Sequence, residues 1–199
     1  MNTKARFIKH YKEGYMPWAH SNPDFNLIET IQKWKIEPCK TLEIGCGTGT
    51  DAIWLAEENF EVTAIDVSPI AIDMAMANAN KVGADCHFRV KDFLSESLDI
   101  GPFDFVFDRG YFHSFESEKK RRKIAKKIAR NLAEGGLWLS LIGSCDNPPR
   151  ETGPPMRSAK NIIDAVETYF EILFLKASVF GSEQENPAKN WVCLMKKRK

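Results

Sequence analysis

Three alternating glycines in the segment LEIGCGTGTD, residues 42–51, constrain this chain more than any other feature. The run KTLEIG before them predicts a short buried strand, and DAIWLAEEN after them predicts a helix with one apolar face. Glycine lets a backbone turn tightly and approach a ligand closely, so the segment predicts a binding loop between a strand and a helix. The loop alone leaves a dinucleotide, a nucleoside triphosphate, a ligand without phosphate and a plain tight turn all open.

Strand and helix patterns alternate through most of the chain beyond this loop. Further strands are predicted at EVTAID, CHFRV, FDFVFD and GGLWLSLIGS, and helices at residues 69–82, 117–132 and 158–170. Ser68-Pro69 is typical of a helix start, and Gly83 of a helix end. This alternation predicts an α/β fold with a doubly wound, mostly parallel seven-stranded sheet. The last two strands, FEILFLKASVF and NWVCLMKK, have no helix between them and therefore predict a C-terminal antiparallel hairpin.

Length and charge set broad limits on domains and partners. The 199 residues predict a single domain over 1–199, with a helical or lid extension at 1–38 and a Rossmann-like core at 39–199. Lys and Arg total 28 against 27 Asp and Glu, so no overall field favours nucleic acid or a membrane as a partner. Five cysteines without a CxxC pair and histidines without a ligand-spaced partner predict free thiols, no metal site and a cytoplasmic protein. Oligomeric state is left open.

The spacing of the loop and the residues after it separate the candidate ligands. A dinucleotide fingerprint is GxGxxG, but here Thr50 holds the third glycine's place, and the GK[ST] of a triphosphate loop is absent. Asp66 ends the second strand, where a carboxylate can accept hydrogen bonds from two ribose hydroxyls. Asp92 and Phe93 follow the third strand, and Glu43 lies in the first strand. These acidic and apolar groups suit a sulfonium cofactor better than NAD.

The series LEIGCGTG, AIDVSPIAIDMA, KDF and FDFVFD, in that order, resembles the motifs of class I S-adenosylmethionine-dependent methyltransferases. The resemblance covers residues 41 to about 143 and implies an enzyme of that class with S-adenosylmethionine as its cofactor. DRGYFHSF, residues 108–115, is similar to the segment after the fourth strand in thiopurine and thiol methyltransferases. MPWAHSNPDFNLI, residues 16–28, resembles their Trp-containing N-terminal segment, with Ala19 and Asn22 in place of the usual Asp and Gly.

These motifs assign candidate site residues. Cofactor contact is expected from the glycine loop, the two strand ends and the N-terminal segment: Trp18, Glu43, Gly45, Cys46, Gly47, Thr48, Gly49, Asp66, Val67, Asp92, Phe93 and Asp108. Catalytic roles are expected from the residues after the fourth strand: Asp108, Arg109 and His113. Asp108 and Arg109 are also compatible with a structural ion pair, and His113 with a structural histidine.

The expected activity is methylation of a small-molecule acceptor, with a thiol as one candidate. An RNA or protein methyltransferase, a nicotinamide-dependent oxidoreductase and a non-catalytic cofactor-binding protein remain as alternatives. The basic run EKKRRKIAKK favours a solvated helix face over RNA contact. The Pro-rich loop NPPRETGPPMRS and the Trp18 segment are the expected substrate walls, with Arg150 and Arg157 as candidate contacts for a negatively charged acceptor.

Overall fold

The computed structural model describes residues 3–148 and 154–199, so Arg150 and the middle of the Pro-rich loop lie outside the described residues. The helices are α1 (Thr3–Lys12), α2 (Phe25–Trp34), α3 (Thr50–Glu57), α4 (Pro69–Val82), α5 (Glu118–Asn131) and α6 (Ala159–Val166). The strands are β1 (Lys40–Ile44), β2 (Glu61–Asp66), β3 (Cys86–Val90), β4 (Phe103–Arg109), β5 (Leu132–Gly143), β6 (Phe170–Val179) and β7 (Lys189–Lys197). In these described ranges, no helix is both long and apolar enough to cross a membrane.

The strands form one seven-stranded sheet in the order β3-β2-β1-β4-β5-β7-β6. Strands β1 to β5 pair in parallel, whereas β7 is antiparallel to both β5 and β6. The predicted fold class and C-terminal hairpin are therefore confirmed. The strand order reverses between β1 and β4, and in open α/β sheets the crevice at such a reversal is where ligands bind.

Local sequence explains where the helices begin and end. The Ser68 hydroxyl accepts a hydrogen bond from the Ala71 amide at 3.4 Å, Pro69 takes the first helical position, and Gly83 ends α4 with a φ of 72°. Ser158 caps α6 through a reciprocal pair of hydrogen bonds with Asn161. The start and the end of α4 and the start of α6 agree with the sequence prediction.

Helices cover both faces of the sheet and bury two apolar clusters. Ile124 and Ile128 of α5 and Ile162 of α6 pack on one face. Leu27 of α2 and Leu55 of α3 pack on the other. Alternate residues of the central strands point to opposite clusters, as expected for strands buried on both faces.

Two elements differ in length from the sequence prediction. Strand β5 begins at Leu132, three residues before the predicted GGLWLSLIGS, because Leu132 still pairs with Phe103 across a register shift. Helix α6 ends at Val166, so that Phe170 can begin β6 and pair with Lys197. Neither difference moves the carboxyl ends of β1 to β4.

Candidate functional site

The carboxyl ends of β1 to β4 open into a cavity of about 830 Å³. We call one side the strand half; it is lined by residues at the ends of β1 and β2 and just after β1, β2 and β3, namely Ile44, Gly45, Ile65, Asp66, Val67, Lys91, Asp92, Phe93 and Leu94. We call the other side the lid half; its lining residues come from α1 and from positions 15–18, 109–120, 154–155 and 180–188. The volume is in the upper part of the range of roughly 300–1,000 Å³ that is typical of small-molecule sites.

The glycine loop is fixed by the neighbouring strand and leaves its backbone close to the cavity. The amides of Gly45 and Cys46 both donate to the Ile65 carbonyl, at 2.7 and 3.0 Å. Gly47 has a φ of 56°, and a Cβ there would come within 3.1 Å of the Tyr11 hydroxyl. Gly49 begins α3, and a Cβ there would collide with Ala75 of α4 at 2.9 Å. Gly45 and Gly47 therefore permit the close approach of Tyr111 and Tyr11 to the loop, whereas Gly49 permits close helix packing.

Asp66 ends β2 and faces the strand half from a rigid setting. One carboxylate oxygen accepts from the Gly47 amide at 3.1 Å and the other from the Ser68 amide at 2.8 Å. Burial raises the pKa of Asp66, and these amide hydrogen bonds act against that rise. Val67 lies beside it on the cavity wall. A carboxylate has about four acceptor sites, so the group keeps acceptor capacity for a ligand hydroxyl.

Asp92 and Phe93 form the next part of the strand half. Asp92 accepts a hydrogen bond from the Leu94 amide at 3.1 Å, which turns the chain at the end of β3. The Phe93 ring is fully buried and lies edge-on to the Tyr111 ring, with centroids 5.9 Å apart. Together they offer a carboxylate and an aromatic face at one end of the cavity.

Glu43 lies beneath the loop in a second, adjoining cavity of about 30 Å³, also lined by Cys46 and Thr48. Its side chain is buried, and its Oε2 has no hydrogen-bond partner among the described residues. Burial first, and then the charge of Asp51, raise the pKa of Glu43 well above its ordinary value. A positively charged ligand group nearby would favour its ionised form.

The Trp18 segment and α1 cover the glycine loop. The Trp18 indole N–H donates to the Tyr11 hydroxyl at 3.2 Å, and the two rings meet edge-on. Trp18 also meets Phe7 edge-on with centroids 5.3 Å apart. Since Tyr11 lies against Gly47, this aromatic cluster forms the cavity wall over the glycine loop.

Arg109 joins three separate parts of the chain. Its Nε donates to Asp24 at 2.8 Å, and its two terminal nitrogens donate to the carbonyls of Trp18 and Gly181 at 3.1 and 2.6 Å. The Gly181 amide also donates to Asp24, at 2.9 Å. The ion pair of Arg109 is therefore with Asp24 rather than with Asp108, and it fastens the Trp18 segment to the chain after β6.

Asp108 lies behind the cavity wall and does not line it. Its two carboxylate oxygens accept from the Phe112 amide and from the Trp138 indole N–H, both at 2.9 Å. The side chain is fully buried, and burial raises its pKa to about 6. Asp108 is thus placed to fix the turn that carries residues 110–114.

His113 lines the cavity, but one ring nitrogen is already engaged. Its Nδ1 accepts a hydrogen bond from the Gly143 amide at 2.7 Å. Burial first, and then the charges of Arg157, Arg109 and Arg6, lower its pKa to about 3. The imidazole is therefore neutral near pH 7.

Tyr111 is a cavity residue that the sequence did not single out, although it lies within DRGYFHSF. Its ring meets Phe93 of the strand half and Phe115 of the lid half, at 5.9 and 5.1 Å. Its buried hydroxyl has no hydrogen-bond partner among the described residues. A buried polar group of this kind is normally satisfied, so the hydroxyl is available to a ligand at the junction of the halves.

The described residues contain no group of three or more His, Cys, Asp or Glu side chains placed to hold a metal ion. Trp18, Gly45, Asp66, Val67, Asp92, Phe93, Arg109 and His113 line the main cavity. Glu43, Cys46, Gly47 and Thr48 line the adjoining one, while Gly49 and Asp108 line neither.

Comparison with known proteins places this geometry in context. Residues 41–136 match the family model described as a methyltransferase domain. The chain is 27% identical over 158 residues to 2-heptyl-1-hydroxyquinolin-4(1H)-one methyltransferase of Mycobacteroides abscessus, covering 78% of this chain and 69% of that protein. It is 26% identical over 158 residues to probable thiol methyltransferase 2 of Arabidopsis thaliana, covering 77% and 67%.

A solved structure extends the similarity to the whole chain. A protein studied in the conversion of a disulfide bond into a thioacetal group during echinomycin biosynthesis superposes with a TM-score of 0.85. That superposition covers 98% of this chain and 92% of the other at 24% identity, so it supports the fold.

Proposed function

We propose that the chain is a class I S-adenosylmethionine-dependent methyltransferase and that it methylates a small molecule bound in the lid half of the cavity. The observation that supports the proposal is that the main cavity has two halves with different chemical linings. The strand half offers carboxylates and backbone, and the lid half offers aromatic rings beneath a roof tied down by Arg109. A roofed cavity suits a small acceptor better than a nucleic-acid or protein chain.

The strand half fits the cofactor. In this proposal Asp66 binds the ribose hydroxyls, Asp92 and Phe93 bind the adenine ring, and Gly45 lets the loop backbone approach the cofactor closely. Glu43 supplies a buried carboxyl whose ionised form a positive charge would favour. S-adenosylmethionine, when bound, supplies a methyl group already activated by a sulfonium. The chain's own work is therefore to orient the acceptor and exclude water, and orientation alone can contribute roughly 7–11 kcal/mol.

Proton removal from the acceptor receives little help from the residues after β4. The Asp108 carboxylate accepts hydrogen bonds from Phe112 and Trp138 and lies behind the cavity wall. His113, with a pKa of about 3, is too weak a base near pH 7. The remaining imidazole on the wall is His10, which packs edge-on against Phe7 and Tyr15.

We therefore propose an acceptor that ionises by itself near neutral pH, with an aromatic thiol first. A free thiol has a pKa of about 8.5, and its thiolate is the nucleophile. The relatives point the same way, since one is named a thiol methyltransferase and the other acts on a hydroxylated quinolinone. Both named acceptors belong to the class of small, self-ionising molecules.

The test uses S-adenosylmethionine labelled in the methyl group with thiophenol, phenol and aniline, three acceptors that share one ring. We expect thiophenol to be labelled fastest, with a rate that rises with pH through the thiol's own pKa and then levels. His10→Phe, which keeps an aromatic ring beside Phe7 and Tyr15, should leave that profile in place.

Two results would contradict the proposal at different levels. Labelling of aniline alone, abolished by His10→Phe, would overturn the thiol assignment and leave small-molecule methylation standing. Labelling of a protein or RNA acceptor, with none of the three small molecules modified, would overturn the small-molecule proposal itself.

A further inference from the structure

The two halves of the cavity differ in charge, since the one cation of the strand half, Lys91, pairs with Glu96 and Asp99 outside the cavity lining. The only acids among the described lining residues are Asp66 and Asp92, and both belong to the strand half. The lid half is lined by Lys4, Arg6 and Lys120, besides the paired Arg109, and by no described Asp or Glu. The strand half therefore favours a positively charged cofactor group, and the lid half favours a negatively charged ligand group.

Arg6 is a cation of the lid half with a buried hydrogen-bond donor that has no partner among the described residues. Its Nε is buried and has no hydrogen-bond partner among the described residues, while the guanidinium lies over the Phe7 ring at 5.1 Å. Arg109, by contrast, makes three hydrogen bonds through its guanidinium. A buried donor without a partner is costly, and an oxyanion in the cavity would satisfy it.

The positive potential also reaches a neighbouring side chain. The charges of Arg157, Arg109 and Arg6, after burial, lower the pKa of His113. Arg157 is itself engaged, because one of its terminal nitrogens donates to the His113 carbonyl at 2.7 Å. Arg6 therefore lies close enough to His113 to contribute, after Arg157 and Arg109, to lowering its pKa.

The apolar part of the same wall is aromatic. Phe7, Phe115 and Phe180 line the lid half, and the Arg109 guanidinium lies over Phe180 at 5.1 Å. Aromatic side chains stack edge-on or offset against aromatic ligands. The lid half thus combines aromatic rings, which can contact a flat apolar ligand, with the guanidinium of Arg6, whose Nε has no hydrogen-bond partner among the described residues.

We propose that the methyl acceptor is an aromatic molecule bearing a carboxylate or equivalent oxyanion, which Arg6 binds while Phe7, Phe115 and Phe180 hold the ring. This assignment rests on the proposed function, because it names the ligand of the same lid half. The guanidinium fork matches an oxyanion in two parallel hydrogen bonds, which gives orientation as well as affinity. Arg6 is accordingly a specificity residue.

The test measures binding, so that it does not depend on which atom is methylated. Calorimetry compares 2-naphthoate with 2-naphthamide, two ligands of the same shape, on protein saturated with S-adenosylhomocysteine. We expect naphthoate to bind about tenfold more tightly, as a charged hydrogen bond would give, and Arg6→Gln to bring the ratio near one. Lys9→Gln is the matched control, because Lys9 lies on the same helix, carries the same charge and faces solvent beside Glu13.

Several outcomes would overturn the assignment. Equal binding of the two probes, no binding of naphthoate, or a ratio that survives in Arg6→Gln each contradicts a binding role for Arg6. Retained S-adenosylhomocysteine binding shows that a variant is folded, and Arg6→Lys, which keeps the charge, should retain part of the ratio. Failure of the wild type to bind S-adenosylhomocysteine would instead count against the proposed function.

Discussion

At the scale of single residues, environment separates three neighbours that the sequence places together. Asp108, Arg109 and His113 all follow the same strand, yet each has a different partner. Asp108 holds the turn through Phe112 and Trp138, Arg109 pairs with Asp24, and His113 accepts from the Gly143 amide. The residue types predicted a polar site at the end of this strand. The burial and the hydrogen-bond partners of each side chain decide whether it can bind a ligand, position other residues or exchange a proton.

The low pKa of His113 makes acid stability a test of this assignment. Its pKa is 6.5 in the unfolded chain and about 3 in the folded protein, so between these values the unfolded state binds more protons. The contribution of His113 to stability is therefore present above pH 6.5 and is lost as the pH falls. Between pH 7 and pH 5 the wild type should lose about 2 kcal/mol more unfolding free energy than His113→Gln, measured by urea denaturation.

Asp108 titrates in part of the same window with the opposite sign, since its pKa is raised to about 6. It is present in both proteins, so its effect cancels in the difference between them. Stability curves that run parallel from pH 7 to pH 5 would show that His113 is not held neutral by burial.

At the scale of elements, the lid depends on pieces of chain that are far apart in sequence. Asp24 caps α2 through the Asn26 amide and at the same time accepts from Arg109 after β4 and from the Gly181 amide after β6. Ser21 donates to Glu183 through both its amide and its hydroxyl. The N-terminal segment and the chain between β6 and β7 are thereby fastened to each other over the cavity.

The Asp24–Arg109 ion pair should contribute much of the stability of the contact between the N-terminal segment and the chain between β6 and β7. Asp24 is fully buried, so Arg109→Gln leaves a buried carboxylate with one partner removed. Loss of one member of a buried pair costs about 3–5 kcal/mol, and we expect a loss of that order in the free energy of unfolding by urea. The same variant should weaken S-adenosylhomocysteine binding, because the Trp18 carbonyl loses its anchor.

Arg122→Gln provides the control for this change. Arg122 pairs with Glu118 at 2.9 Å on the exposed face of α5, with half of each side chain in solvent. An exposed pair of this kind contributes less than about 1 kcal/mol. Equal destabilisation by the two variants would show that the Asp24–Arg109 pair does not fasten the lid.

At the scale of the whole molecule, local patterns determine more of the core than of the lid. Three features could be predicted because each depends on residues that are close in sequence. They are the alternation of strands and helices, the caps at Ser68 and Ser158, and the C-terminal hairpin. In the lid half, the sequence indicated Trp18, Arg109 and His113, but it could not indicate Phe7, Tyr111 and Phe180, which come to line one cavity only after the chain has folded. The pairing of Arg109 with Asp24 was hidden for the same reason: no periodicity links residues 85 positions apart.

The proposed function depends on S-adenosylmethionine binding in the strand half, with Asp66 as its ribose contact. Calorimetry with S-adenosylhomocysteine and with NAD, on the wild type, Asp66→Ala and Asp73→Ala, measures this directly. Asp73 is an exposed carboxylate on α4 and serves as the control. The account predicts that the wild type and Asp73→Ala bind S-adenosylhomocysteine and not NAD, and that Asp66→Ala binds it at least about tenfold more weakly. Binding of NAD without S-adenosylhomocysteine, or an unchanged isotherm for Asp66→Ala, would contradict it.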